Sequence, residues 1–314
     1  MKAIKKIIKK ILARVGVIKI MPTEDPHLYS SFSPYVAIDK LSDNELLSLM
    51  RHEAHRIEKS IYNDIFEKKY EVYFEKAKRL DSIFAVFDER NIFSSDNTVA
   101  WAKDIRSSFD NLLDGFIQPN SSKTNDYNFS LMDNYLSHTK SRRSVRVWKN
   151  EQLDKLEWLA VANTMIECAK WAPCSGNRQP WRFKVIIEKE DKQLLKGVKE
   201  EHCTSAPLLI FIGMDRRVYG ALSKTDYETA LFVDAGAAIM NMIAGAHDAG
   251  LGTCWNHFGR DLITSRKVNQ EIYNNFCNVL NIDKYIEPVA ILAVGLPDYI
   301  PPTPERMVIE QLII

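Results

Sequence analysis

The run Leu208-Leu209-Ile210-Phe211-Ile212-Gly213-Met214 carries no polar side chain on either alternate face. A strand of that composition is satisfied only inside a sheet covered on both sides, which dictates a layered architecture. A second such run occupies residues 289–294, and shorter strand-like segments fall at 183–187 and from 253 onward. Between them, residues 229–249 have helical spacing, with Ala235, Gly236, Ala237, Ala238, Gly245 and Ala246 among Ile239, Met242 and Ile243. Small residues let a neighbouring helix come close, so this helix belongs at the centre of the fold or at a subunit interface. Gly250-Leu251-Gly252 ends it as a C-cap. Residues 151–172 predict another helix, with Leu156, Leu159, Ala160, Met165, Ile166 and Ala169 on its buried face. Strands alternating with helices from residue 131 onward predict an α+β fold, a mixed sheet flanked by helices.

Upstream the character differs. Residues 41–80 read as strongly helical, with Ser42 as N-cap and Glu45 at capping-box spacing. Further helices are expected near 83–87 and 99–113, and residues 115–126, rich in Ser, Asn and Pro, read as a linker. His52-Glu53-Ala54-His55 is one residue short of the zincin spacing and has no third ligand cluster, so the two histidines read as surface or core groups. The Tyr/Phe-rich run 62–74 reads as core or interface. The expected division is therefore a helical accessory region, 1–130, followed by a domain spanning 131–314. Within residues 1–20, Lys2, Lys5, Lys6, Lys9, Lys10 and Arg14 interleave with Ile4, Ile7, Ile8, Ile11, Leu12 and Val15 at helical period. Such a helix packs on its own protein, or makes a weak contact with an anionic membrane surface. Pro22, Pro26 and Pro34 mark an extended connector.

Composition narrows the function. With 42 basic and 41 acidic residues in 314, no global field points to nucleic acid. Five cysteines (168, 174, 203, 254 and 277) form no CxxC pair, a pattern of reduced thiols in a cytoplasmic protein. No apolar run reaches the roughly 18–20 residues that span a bilayer. Neither a G-x-G-x-x-G after a first strand nor a G-x-x-x-x-G-K-[ST] occurs, so dinucleotide Rossmann and P-loop readings lack support. Trp148, Trp171, Trp181 and Trp255 read as core, and among the cysteines only Cys174 reads as reactive.

Two blocks concentrate chemistry-bearing residues. Ser141-Arg142-Arg143-Ser144-Val145-Arg146 places three arginines and two hydroxyls together, a composition suited to a phosphate. Ala172-Pro173-Cys174-Ser175-Gly176-Asn177-Arg178-Gln179-Pro180-Trp181 is a donor-rich loop running into a strand. Two further pieces follow in order: an Asp234-x-Gly236-x-Ala238-x-x-Asn241 helix leading to Gly250-Leu251-Gly252-Thr253-Cys254-Trp255, and Val294-Gly295-x-Pro297 with a late Pro304-x-Arg306. Over residues 131–314 this succession resembles the nitroreductase-like FMN-dependent oxidoreductases.

The resemblance implies roles. Arg142 and Ser144 look like contacts to the FMN phosphate and ribityl chain, and Arg306 like the late phosphate-binding arginine. Arg146 resembles the basic residue that tunes the reduced flavin. Pro173, Cys174, Ser175, Asn177 and Gln179 match a loop given by the partner subunit of a homodimer. Cys254 and Trp255 match the segment passing the flavin N5, with His257 as a candidate proton donor beside it. Cys174 stands where the family usually has serine, residues 184–207 look shortened, and the lysine often found before the late arginine is missing. Phosphate anchoring is then expected from Arg143, Arg178 or Arg182 as well. The implied activity is ping-pong transfer from NADH or NADPH through FMN to a small nitro- or quinone-type acceptor. Two alternatives share the fold: a flavin-fragmenting or dehalogenase-like enzyme, and a non-catalytic scaffold acting as a membrane or partner adaptor.

Overall fold

A computed structural model describes residues 38–62, 66–92, 97–114, 128–219, 224–258 and 267–314. The basic segment 1–20, the proline connector, the 115–126 linker and most side chains of the 62–74 run lie outside the described residues. The chain divides into two compact units, and not at a single point. One comprises Met1–Lys123, Pro173–Pro180 and Met214–Asp234; the other comprises Thr124–Ala172, Trp181–Gly213 and Ala235–Ile314. The expected linear split near residue 130 thus gives way to an interleaved one.

In the first unit, helices α1 (Asp43–Tyr62), α2 (Phe66–Glu89) and α3 (Thr98–Leu113) pack together. Leu46, Leu49, Met50, Ala54 and Ile57 form the buried stripe of α1, facing Ala77, Leu80 and Ile83 of α2 and Ala102 and Phe109 of α3. Ser42 starts α1: its N–H donates to the Glu45 carboxylate at 3.0 Å, and its hydroxyl turns to the same carboxylate. Glu53 is buried on α1 and is matched by Lys76 Nζ at 3.2 Å and Arg79 Nε at 3.8 Å from α2. A buried carboxylate without such partners would be strongly destabilising. The 83–87 segment continues α2 rather than forming a helix of its own.

The second unit begins with α4 (Phe129–Ser141), whose Asn128 side chain caps Ser130 N–H at 3.0 Å. There follow β1 (Val147–Trp148), α5 (Lys155–Lys170), β2 (Trp181–Ile186), α6 (Lys189–Gln193) and α7 (Glu201–Thr204). After them in the chain come β3 (Leu208–Asp215) and α8 (Lys224–Asp248), each of which runs from one unit into the other, then β4 (Gly252–His257), α9 (Lys267–Val279), β5 (Ile286–Gly295) and β6 (Pro297–Tyr299). Four strands form one sheet in the order β2-β3-β5-β4, and β1 pairs with β6 separately. Every residue of β3 is buried, as its composition demands.

Asp154 and Glu157 form a full capping box at the start of α5. The buried face of α5 is Trp158, Ala162, Met165 and Ala169. Leu156, expected on that face, is 75% exposed, because two residues before Trp158 is about 200° round the helix. Trp171 is also exposed rather than core, its indole N–H donating to Glu167 at 3.0 Å. The small residues of α8 do what their size allows. A side chain at Gly245 would begin 2.9 Å from Cys168 Sγ of α5, and Asn241 Nδ2 donates to the Cys168 carbonyl at 3.2 Å. By length and composition Thr229–Asp248 could also cross a bilayer, contrary to expectation, but Ala235, Ala238, Ile239, Met242 and Ala246 are spent on the core. Gly250 takes φ 75°, and Leu251 N–H returns to the Ala246 carbonyl at 2.9 Å, completing the C-cap.

At one end of the sheet Gly252 and Gly295 are register partners on β4 and β5. A Cβ on Gly252 would fall 2.8 Å from Val145, and one on Gly295 would fall 2.7 Å from the Trp148 ring and 2.8 Å from Pro207. The missing side chains let residues 144–148 lie against the strands. Val145 N–H donates to the Thr253 carbonyl at 2.9 Å, and Lys149 N–H to that of Leu296 at 3.0 Å. The basic block is thereby brought beside β4.

Candidate functional site

The block enters a cavity of about 410 Å³ in the second unit, within the range of small-molecule sites. The end of α4 brings Thr139 and Lys140, and the turn after it brings Arg142, Arg143 and Ser144. Thr253 and Trp255 project from β4, Met240 and Ile243 from α8, and Thr303, Pro304 and Arg306 from the C-terminal segment. Among the described residues four cations and four hydroxyls line it, without a carboxylate.

The cations are not equivalent. The Arg143 guanidinium is committed: Nη1 donates to the carbonyls of Lys140 (2.6 Å) and Arg142 (2.7 Å), Nε to that of Pro302 (3.2 Å), and Nη2 to the Thr303 hydroxyl. It caps the electron-rich end of α4 and ties down the segment that carries Pro304 and Arg306. Arg143 is therefore a strap on the cavity wall, not the free anchor that sequence suggested. Among the described residues the side chains of Lys140 and Arg142 have no hydrogen-bond or ion-pair partner, and Arg306 reaches only the Glu305 carbonyl at 3.5 Å. Three uncommitted cations around one cavity form an anion cradle, with Trp255, Met240 and Ile243 as an apolar wall. Trp255 Nε1 is buried without a partner among the described residues.

Strand alternation separates the other predicted residues. Thr253 and Trp255 share the cavity face of β4, while the Cys254 side chain enters the core beside Phe258 and Phe211. Arg146 is on the side of Cys254, whose sulfur lies 3.5 Å from His202 Nε2, and it lines a separate cavity with Trp148 and His202. Burial raises the Cys254 thiol pKa and Arg146 opposes this. The structure thus does not bring Arg146 or the Cys254 side chain to the cradle. His257 is exposed at the end of β4, its ring 6.2 Å from that of Trp255. Arg182 donates to the Trp181 carbonyl at 2.7 Å and is not among the lining residues. Lys140, Thr139 and Thr303 were missed in the sequence, although Lys140 stands one residue ahead of the block.

Pro173, Cys174, Ser175, Asn177 and Gln179 belong to the first unit and form a tight loop there. Gly176, Asn177 and Gln179 all take positive φ, 63°, 51° and 52°. Such a run persists only where the surroundings over-determine it, and it is a mark of functional loops. Several groups impose the shape. Ser175 N–H donates to both Asp234 carboxylate oxygens (3.0 and 3.1 Å), and the Tyr219 hydroxyl donates to Asp234 Oδ2 at 2.6 Å. Burial raises the pKa of both Asp234 and Tyr219. Buried Arg178 turns back to the Ser175 carbonyl at 2.6 Å, so it is not a phosphate anchor. Asp234 opens the third motif; its role as the loop's anchor was not legible there. Cys174 accepts from Gln179 N–H at 3.4 Å, and burial pushes its thiol up to about 11, the opposite direction from an activated thiol.

His52, on α1, donates from Nδ1 to the Gly176 carbonyl at 3.2 Å. Its pKa is lowered to about 2, by burial first and then by the positive charges of Arg178, Arg56 and Lys76, against the Gly176 carbonyl. The unfolded imidazole takes a proton near pH 6.5, whereas the folded one does not. Its contribution is fully present above pH 6.5 and is lost as pH falls toward 2, at up to about 1.4 kcal/mol per pH unit. Denaturant unfolding between pH 6.5 and 4.5 should therefore show a shallower loss of stability in His52→Gln than in the parent protein. Parallel slopes would refute this assignment.

Comparison with known proteins places the chain among relatives. The model of the Nitroreductase family matches residues 139–202 and 192–296. A protein of Archaeoglobus fulgidus named "Putative NADH dehydrogenase/NAD(P)H nitroreductase" is 29% identical over 129 residues, covering 40% of this chain and 67% of its own. A protein of the same name from Methanothermobacter thermautotrophicus is 22% identical over 197 residues, covering 59% and 91%. The crystal structure titled "a putative nitroreductase in complex with fmn", from Desulfovibrio desulfuricans, is 23% identical with a TM-score of 0.45, over 57% of this chain and 94% of that one.

Proposed function

We propose that this chain, which belongs to the nitroreductase family, is an FMN-dependent oxidoreductase that uses NADH or NADPH to reduce a small organic acceptor of nitro or quinone type. The observation that carries the reading is the cradle: Lys140, Arg142 and Arg306, uncommitted and without a competing carboxylate, beside an apolar wall holding Trp255. A phosphate on a flat heteroaromatic group matches both halves of that lining.

FMN bound here would supply the redox chemistry between the nicotinamide nucleotide and the acceptor. The chain's own residues bind and orient it. Arg142 and Arg306 hold the phosphate through charge-assisted hydrogen bonds, and the Ser144, Thr253 and Thr303 hydroxyls serve its neighbouring oxygens. Trp255, Met240 and Ile243 exclude water from the ring side. No side-chain nucleophile is needed in such a scheme. The active form in this proposal is a homodimer in which the 173–180 loop of one copy serves the cofactor of the other. The exposed apolar residues Phe129, Met132 and Tyr135 of α4 and Met307, Ile309 and Ile313 of the C-terminal segment support such an assembly.

The visible spectrum of the purified protein tests the reading, before and after anaerobic addition of NADPH or NADH. A yellow protein that bleaches is expected. A colourless protein that takes up no added FMN would overturn it.

A further inference from the structure

Helix α1 has no counterpart in the four motifs, yet two of its polar side chains end on the 173–180 loop. Ser48, only 1% exposed, donates its hydroxyl to the Arg178 carbonyl at 2.8 Å. One turn further on the same face, buried His52 donates to the Gly176 carbonyl. These two carbonyls flank Asn177, so α1 grips the loop on both sides of it. The fit is close: a Cβ on Gly176 would fall 2.5 Å from His52 Nδ1 and 2.7 Å from Arg178 Nη1. Ser175 N–H is held in turn by Asp234, which also accepts from the Tyr219 hydroxyl. A loop with three left-handed residues does not keep that shape unaided.

We propose that α1 is the platform that holds the loop 174–179 in its cofactor-ready shape, with Ser48 and His52 as positioning residues. This rests on the proposed function, in which the loop serves FMN. It assigns the helical N-terminal region a task inside the flavin site. The loop's Asn177 and Gln179 side chains, linked at 3.2 Å, are then presented in a fixed orientation before any ligand arrives.

The experiment uses the full chain and two readouts. The first is the rate of Cys174 alkylation by iodoacetamide in the FMN-free protein, followed by peptide mass spectrometry. Cys203, buried in the second unit with its thiol pushed up to about 12, is the internal control for general loosening. The second is the FMN dissociation constant from quenching of flavin fluorescence. Ser48→Ala and His52→Ala should each label Cys174 about fivefold faster, with Cys203 unchanged, and weaken FMN by a similar factor, as expected for one lost buried hydrogen bond. His52→Gln, which keeps an N–H donor, should recover most of both. Unchanged Cys174 labelling, equal acceleration at Cys203, or unchanged FMN affinity would each overturn the proposal while leaving the flavin reading intact. A parent protein that binds no FMN would overturn both.

Discussion

Arg142→Ala should weaken FMN binding by about ten- to a hundredfold, with little change in the thermal unfolding of the FMN-free protein. The guanidinium faces the cavity and has no other partner among the described residues, so its loss removes a ligand contact without unpicking the fold. Hydrogen bonds to a charged group contribute about 1.5–3 kcal/mol each, which sets that range. Arg142→Lys should recover part of the affinity, because it keeps the charge and loses the fork. Arg143→Ala should behave differently, lowering stability and affinity together, because its donors close the C-terminal segment onto α4. Fluorescence titration beside a thermal melt separates the two arginines. An Arg142→Ala protein that binds FMN within twofold of the parent would remove Arg142 from the cradle.

Gly295→Val should destabilise the protein by about 3 kcal/mol or more, the upper end for overpacking a close-packed position. Its Cβ would meet the Trp148 ring at 2.7 Å and Pro207 at 2.8 Å. Neither can retreat easily: Trp148 Nε1 is bonded to the His202 carbonyl at 2.9 Å, and the proline ring is rigid. Because the same contact seats residues 144–148, FMN affinity should fall even under conditions where the variant remains folded. Denaturant unfolding gives the first quantity and titration the second. A folded variant with parental stability would show that Trp148 swings aside.

Much of the fold was written in residue pattern. The wholly apolar 208–214 run announced a strand buried on both faces, and the small residues of 229–249 announced a helix with a close neighbour. Leu156 was misplaced because α5 carries apolar residues on more than one face, and burial rather than period selects among them. The arginine block was legible as cationic but not in its detail. Residues 142–146 follow a helix end, where neither the 3.6 nor the 2.0 period says which way a side chain points. Hence Arg142 reaches the cavity, Arg143 is consumed by carbonyls, and Arg146 belongs to the other face of β4. The loop's attachment to α1 was beyond reach, since Ser48 and His52 meet it across more than a hundred residues of chain.

The interleaving of the two units bears on how such a chain can be inherited and re-engineered. It enters the first unit three times, at the N-terminal helices, at Pro173–Pro180 and at Met214–Asp234. A module appended at one end can be shed by a single cut; one woven through the sequence cannot. Excision after Lys123 would leave the Gly176 and Arg178 carbonyls without the donors that α1 gives them. Domain grafting therefore has no clean seam at Lys123, because the first unit also takes in Pro173–Pro180 and Met214–Asp234.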